Sequence, residues 1–402
     1  MTDDEHLITP DAAEQRDPMA GHVVPEPSAA MPPVASGQPL YPTAKRRGRS
    51  WARWIVWGSL GAFVLAVLVL SRINLNYYAI QPGSAQPVQP YIKVPASKSH
   101  PVPNPILLTD VREARVNALN YLFFKLQSDT VLYSVPSVTG GTSPSELDAQ
   151  GALQMSQAEA SAKTAALRYL GYTVTANPSG AVIAGTFPGT PADGVLNVGD
   201  VVTAVDGKAT LTALELTHAL ASYRSGQSVV FTVRKGGTGP TQAVSLTLKR
   251  TTVDIGGRSV QLDLGILPQD QVDYTYPFPI SINVTNIGGP SAGLAMTLGV
   301  IDTLSGGQLT GGRTVAATGT MDAAGSVGDV GGVPQKTVAV ENAKASIFLV
   351  PPGEYADAKS KQKTGLKIFP VSTLAQALRV LADNGGHVAT SALVASTSGG
   401  AA

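Results

Sequence analysis

The run WIVWGSLGAFVLAVLVL, residues 54 to 70, contains no charged side chain and extends toward Ile73. About 20 apolar residues in a helix cross the hydrocarbon core of a bilayer, so a membrane anchor is expected here. Lys45, Arg46, Arg47, Arg49 and Arg53 precede the run, while Arg72 alone follows closely. By the positive-inside rule the N-terminus is cytoplasmic and everything after residue 75 faces outward. Trp51, Trp54 and Trp57, the three tryptophans of the chain, read as an interfacial belt at the same end. A cleaved signal peptide is the alternative, but about 50 residues come before the run and no clear small-x-small site follows it.

The anchor divides the chain unevenly. Residues 1–50 are rich in Pro, Ala, Asp and Glu without apolar periodicity, and are expected to be a disordered cytoplasmic tail ahead of a transmembrane helix over 51–73. With 402 residues, 43% of them apolar, the chain can bury two modest cores beyond the anchor. A net charge of +1 leaves no electrostatic footprint for nucleic acid. The absence of cysteine excludes thiol nucleophiles, Cys-ligated zinc and disulfides.

Residues 74–105 are Pro-rich and are expected to form an extended spacer. Over 106–169, ILLTDVR predicts a strand, and apolar residues recurring at three and four predict a helix from Pro144 capped by Ser143, packing on one of its neighbours. Short β-type runs and one amphipathic helix, TALELTHALASY, predict a compact domain over 170–250. Residues 251–386 alternate strands and helices and predict an α/β domain, with a disordered tail over 387–402. The fold class is thus α+β: one N-terminal transmembrane helix, a small β-rich domain and an α/β domain.

The α/β domain narrows the chemistry by elimination. His6 and His22 lie in the first tail, His100 in the spacer, His218 on the small domain's helix and His387 beyond the last helix, so a Ser-His-Asp triad finds no histidine there. Neither H-E-x-x-H nor G-x-x-x-x-G-K-[ST] occurs, which removes support for a metalloprotease and for ATP hydrolysis; no metal and no cofactor are expected. Serine with lysine remains. In IGGPSAGLAM, Ser291 stands at a strand-to-helix turn, where free backbone N–H groups and the positive end of the helix dipole converge; Gly289, Pro290, Ser291 and Ala292 are the candidate oxyanion segment. Lys336, just after Pro334 in GGVPQK, falls in a first helical turn, where dipole and burial both disfavour an ammonium. A helix-capping serine and a solvated first-turn lysine are the plainer alternatives, and spacing alone leaves both open.

GGPSAGLAM together with TGTMDAAGSVGDVGGVPQK resembles the Lon protease proteolytic domain, in which a serine of G-P-S-A-G pairs with a lysine of G-G-x-x-x-K. The resemblance implies Ser291 as nucleophile, Lys336 as general base, and Thr318 as the threonine near the lysine amine. Where many Lon enzymes carry an acidic residue before G-P-S-A-G this chain has Gly288, and the acidic residue often found after the T-G pair is Thr320. LGYTV followed by PGTPADGVLNVGDVV resembles the bacterial PDZ domain, which implies that Leu170, Gly171 and Tyr172 offer N–H groups to a peptide's C-terminal carboxylate. The whole order resembles membrane-anchored, PDZ-containing Lon-like proteases of Gram-positive bacteria. It implies an ATP-independent serine endopeptidase cleaving flexible or unfolded extracytoplasmic polypeptides, with the PDZ domain recruiting or regulating and, by family likeness, a homo-oligomeric ring. The alternative is a non-catalytic PDZ adaptor on an inactive Lon-type scaffold.

Overall fold

A computed structural model describes residues 50–140, 142–255, 257–284, 287–363 and 365–388. The tails expected over 1–50 and 387–402 lie outside the described residues except at their inner ends: Ser50 already begins a helix, His387 N–H donates to Gln308 O at 3.0 Å and Val388 packs on the core. By contact, Met1–Leu60 is one unit and Gly61–Ala402 the other. Of the first unit only the opening turns of α1 (Ser50–Arg72) are described. Within α1, Arg53–Arg72 has a mean hydropathy of 2.2 and none of it is buried, so the helix is long and apolar enough to cross a membrane.

After α1 the chain runs through β1 (Asn74–Pro87), β2 (Ile92–Lys93), β3 (Ile106–Asn117), α2 (Ala118–Leu126), β4 (Val131–Ser134), α3 (Val135–Thr139) and α4 (Pro144–Tyr169). There follow β5 (Thr175–Thr186), β6 (Val201–Val205), β7 (Lys208–Ala209), α5 (Ala213–Leu220), β8 (Ser228–Arg234), β9 (Thr241–Thr247), β10 (Thr251–Ile255), β11 (Arg258–Leu262) and β12 (Ile266–Thr275). The last part contains β13 (Ser281–Ile282), α6 (Gly293–Leu304), β14 (Val315–Ala317), β15 (Thr320–Met321), β16 (Val327–Gly328), α7 (Val333–Asn342), β17 (Ile347–Val350), α8 (Tyr355–Ser360), β18 (Lys367–Pro370) and α9 (Leu374–Asp383).

One six-stranded sheet has the order β18-β17-β14-β3-β1-β4. Its parallel part, β3, β14, β17 and β18, is covered on both faces. Ile106, Leu108, Val315, Ala317, Ile347 and Leu349 face α4, α6 and α9, whereas Leu107, Ala316, Phe348 and Val350 face α7 and α8. Two-sided burial is why IFLV and VAA read as unbroken apolar runs.

The spacer expected over 74–105 is therefore corrected. Asn74–Pro87 is a strand paired with β3 and β4, and Ile92–Lys93 pairs with Ser281–Ile282. Pro82 and Gly83 disguise it: the β1–β3 register slips between Pro82 and Ala85, and at such a bulge a missing N–H is tolerated. A Cβ at Gly83 would fall 1.9 Å from Asp110 Oδ1, so only glycine lets the two strands approach there.

The second large sheet has the order β12-β5-β6-β8-β9, with β7 beside β6, and α5 inserts Leu216 into its core. β12 pairs antiparallel with β5 along its whole length. The boundary expected at 250 is corrected accordingly, since residues 251–275 belong to this sheet's side. The chain leaves α4 at Tyr172 and returns at Phe278, whose rings lie 5.3 Å apart edge to face. The small domain is thus an insertion between α4 and the loop carrying Ser291. α4 packs on α6, capped as expected by Ser143, whose hydroxyl accepts from Glu146 N–H at 3.2 Å.

Candidate active site

Three segments meet at the start of α6. Its N-cap is Ala292, with no side-chain cap, so the Ser291 hydroxyl is not used to close the helix. Gly289, at φ 84°, donates its N–H to Gly151 of α4 at 3.1 Å and so fixes the loop before the serine. Gly293 is required by packing, because a Cβ there would lie 2.7 Å from the Met321 nitrogen. The Ser291 carbonyl accepts from Gly319 N–H at 3.0 Å and from the Thr318 hydroxyl at 3.3 Å.

The expected oxyanion segment needs two corrections. Pro290 has no N–H to offer, and that of Gly289 is already taken by Gly151. Among the described residues the N–H groups of Ser291 and Ala292 take no acceptor.

Lys336 sits in the first turn of α7, behind the left-handed Gly332 at φ 70°. Glycine is demanded there twice over, since a Cβ would also meet Val111 at 2.7 Å. Lys336 is 2% exposed and Thr318 is fully buried. Its Nζ donates to Thr318 Oγ1 at 3.1 Å, and among the described residues it forms no ion pair. Because the threonine hydrogen points to the Ser291 carbonyl, an oxygen lone pair is left facing the amine. Burial pushes the Lys336 pKa down to about 8, against the opposing charges of Asp110 and Glu354.

Ser291 and Lys336 line one cavity of about 930 Å³, together with Ser84, Asp110, Gly288 and Gly332. No hydrogen bond joins the serine hydroxyl to the lysine; Thr318 is the lysine's partner. Asp110, on β3, escapes a sequence reading because its strand lies outside the expected catalytic domain. Its carboxylate accepts from Ser84 N–H at 2.5 Å and Ser84 Oγ at 2.8 Å, which holds a negative charge at the cavity wall. Among the described residues no group of three or more His, Asp or Glu is arranged to hold a metal ion.

The expected carboxylate loop of the small domain is also corrected. Gly171 N–H donates to Arg168 O and Tyr172 N–H to Leu167 O, a closure of α4 of the Schellman type, and Leu170 N–H donates to Ala166 O. All three donors are therefore engaged, and Leu170 is buried in the core beside α6.

Residues 168–247 match the family model of the PDZ domain, and residues 282–383 that of the Lon protease (S16) C-terminal proteolytic domain. The chain is similar to Lon protease of Chloroflexus aggregans, 30% identical over 126 residues, and of Rickettsia bellii, 29% identical over 124 residues. These matches cover 31% and 30% of this chain but only 15% and 16% of the relatives' length. Among solved structures it is similar to the PDZ domain of the SdrC-like protein of Listeria monocytogenes, at 23% identity and TM-score 0.19, covering 22% of this chain and 87% of that one. The corresponding domain from Listeria innocua gives 26% identity and TM-score 0.18, covering 22% and 92%. The chain carries a PDZ domain and a Lon-type C-terminal proteolytic domain.

Proposed function

We propose that this chain is a membrane-anchored serine endopeptidase in which Ser291 is the nucleophile and Lys336 the general base. The observation that carries the reading is a buried lysine, with its pKa pushed down to about 8, lining the same cavity as a serine at a helix start. Neutral Lys336 takes the Ser291 proton as Oγ attacks the scissile carbonyl; the C–N bond then breaks, and the same proton passes from Lys336 to the leaving amine. The N–H groups of Ser291 and Ala292 serve the oxyanion. Thr318 holds the amine in position from the side away from substrate. In the deacylation half, Lys336 removes a proton from water as the water oxygen attacks the acyl carbon; the ester bond to Ser291 Oγ then breaks, and the proton passes from Lys336 to that oxygen.

Substrates are flexible or unfolded polypeptides reaching the domain outside the membrane, with α1 as a single-pass anchor whose N-terminus is cytoplasmic. The PDZ domain contributes peptide capture. The test is to incubate wild type and Ser291→Ala with an unstructured polypeptide and identify the released fragments by mass spectrometry. Fragments from the wild type alone support the reading; identical fragments from both refute it.

A further inference from the structure

α2, with sequence ALNYLFFKL, is apolar on two faces. Tyr121 and Phe124 turn inward against Leu75, Ala79, Val116 and Leu132. The other face presents Leu119, Leu122, Phe123 and Leu126 at i, i+3, i+4 and i+7, a single helical stripe, and these are 42%, 63%, 59% and 78% exposed. Four large apolar side chains in one stripe mark an interaction surface rather than scattered surface residues.

What covers the stripe follows from where the helix is tied. Ala118 N–H donates to the Ile73 carbonyl at 2.8 Å, and Asn117 Nδ2 donates to the Ser71 carbonyl at 3.3 Å. α2 therefore begins where α1 ends, at the level a headgroup layer occupies when α1 crosses a bilayer. Tyr77, whose ring centroid is 5.7 Å from that of Tyr121, and Tyr133 add exposed aromatic rings of the kind found at membrane interfaces. The segment from Arg115 to Ser128 contains two basic residues, Arg115 and Lys125, and no acidic one, which complements anionic headgroups.

We propose that α2 is an interfacial helix whose Leu119, Leu122, Phe123 and Leu126 stripe inserts into the bilayer surface beside α1, so that the catalytic domain is held to the membrane at two points. The proposal rests on α1 being a membrane anchor. A helix seated in this way fixes the height of the cavity above the bilayer and favours polypeptide segments close to the membrane surface.

The chain has no cysteine, so single cysteines can be labelled without background. Full-length Leu122→Cys, Phe123→Cys, Leu65→Cys in α1 and Val230→Cys on β8 are each coupled to an environment-sensitive nitrobenzoxadiazole dye. They are reconstituted into phosphatidylcholine and phosphatidylglycerol vesicles containing spin-labelled lipid. The expected result is a blue shift and loss of emission at 122 and 123 with shallow spin labels, loss at 65 with deep ones, and no change at 230. Emission at 122 and 123 matching that at 230, with quenching retained at 65, overturns the interfacial helix and leaves the anchor standing. No quenching at 65 refutes the anchor and the proposal with it. Disulfide cross-linking of Leu122→Cys between copies without lipid quenching assigns the face to a second copy, which also overturns it.

Discussion

Lys336 Nζ lies 3.1 Å from the Thr318 hydroxyl, and that hydroxyl lies 3.3 Å from the carbonyl oxygen of Ser291. A single threonine thus connects the candidate base to the backbone of the candidate nucleophile. Thr318→Val removes the acceptor for the amine while keeping the shape. Hydrogen bonds to charged groups contribute about 1.5–3 kcal/mol, so kcat/KM is expected to fall by roughly 10- to 100-fold. Thr318→Ser, which keeps the oxygen, should recover most of that loss. Equal losses in both variants would show that the methyl packing, not the hydroxyl, matters.

The proposed reaction needs Lys336 neutral, and burial lowers its pKa to about 8. Below that value the rate should fall about tenfold per pH unit. Asp110 works in the opposite direction, stabilising the ammonium. Asp110→Asn should therefore move the ascending limb of the pH–rate profile to lower pH. An unmoved limb would mean that the carboxylate has no influence on the base.

The same shift predicts a stability cost. A lysine whose pKa is depressed on folding opposes folding while it is protonated. The penalty is complete below pH about 8 and vanishes above the unfolded value of about 10.4. Lys336→Met, which keeps the buried stem, should stabilise the fold at pH 7 by up to about 3 kcal/mol and abolish cleavage. The stability gain should shrink as pH rises toward 10, measurable by denaturant unfolding across that range.

Because β12 pairs with β5 along its length, the inserted domain ends near residue 275. Replacing residues 173–275 by a short Gly-Ser linker should leave cleavage of a small unstructured peptide intact, because the chain leaves and returns beside Tyr172 and Phe278. Removing residues 173–250 alone strands β12 and should yield aggregated protein. Comparable solubility of the two deletions would contradict the sheet order.

The helices that carry the candidate site were legible because their signals are local. Pro334 and the glycines before it mark the start of α7, and G-P-S-A-G marks that of α6. The burial expected for Lys336 is what the fold gives. β1 was not legible, since Pro82, Gly83 and Pro87 read as a spacer when their bulge partner on β3 is unknown. Asp110 was hidden for the same reason, because its importance comes from a strand pairing 26 residues away from Ser84. The Leu170, Gly171 and Tyr172 segment misled because a glycine at positive φ that closes a helix looks, in sequence, like one that opens an anion-binding loop.

The most direct measurement of the central claim is covalent labelling with a serine-reactive fluorophosphonate, read by peptide mass spectrometry above pH 8. A single adduct on Ser291 that appears in step with loss of cleavage, and is absent from Ser291→Ala and Lys336→Ala that remain folded, is the predicted result. Undiminished cleavage by folded Ser291→Ala, or an adduct on another serine that tracks the loss of activity, would contradict it.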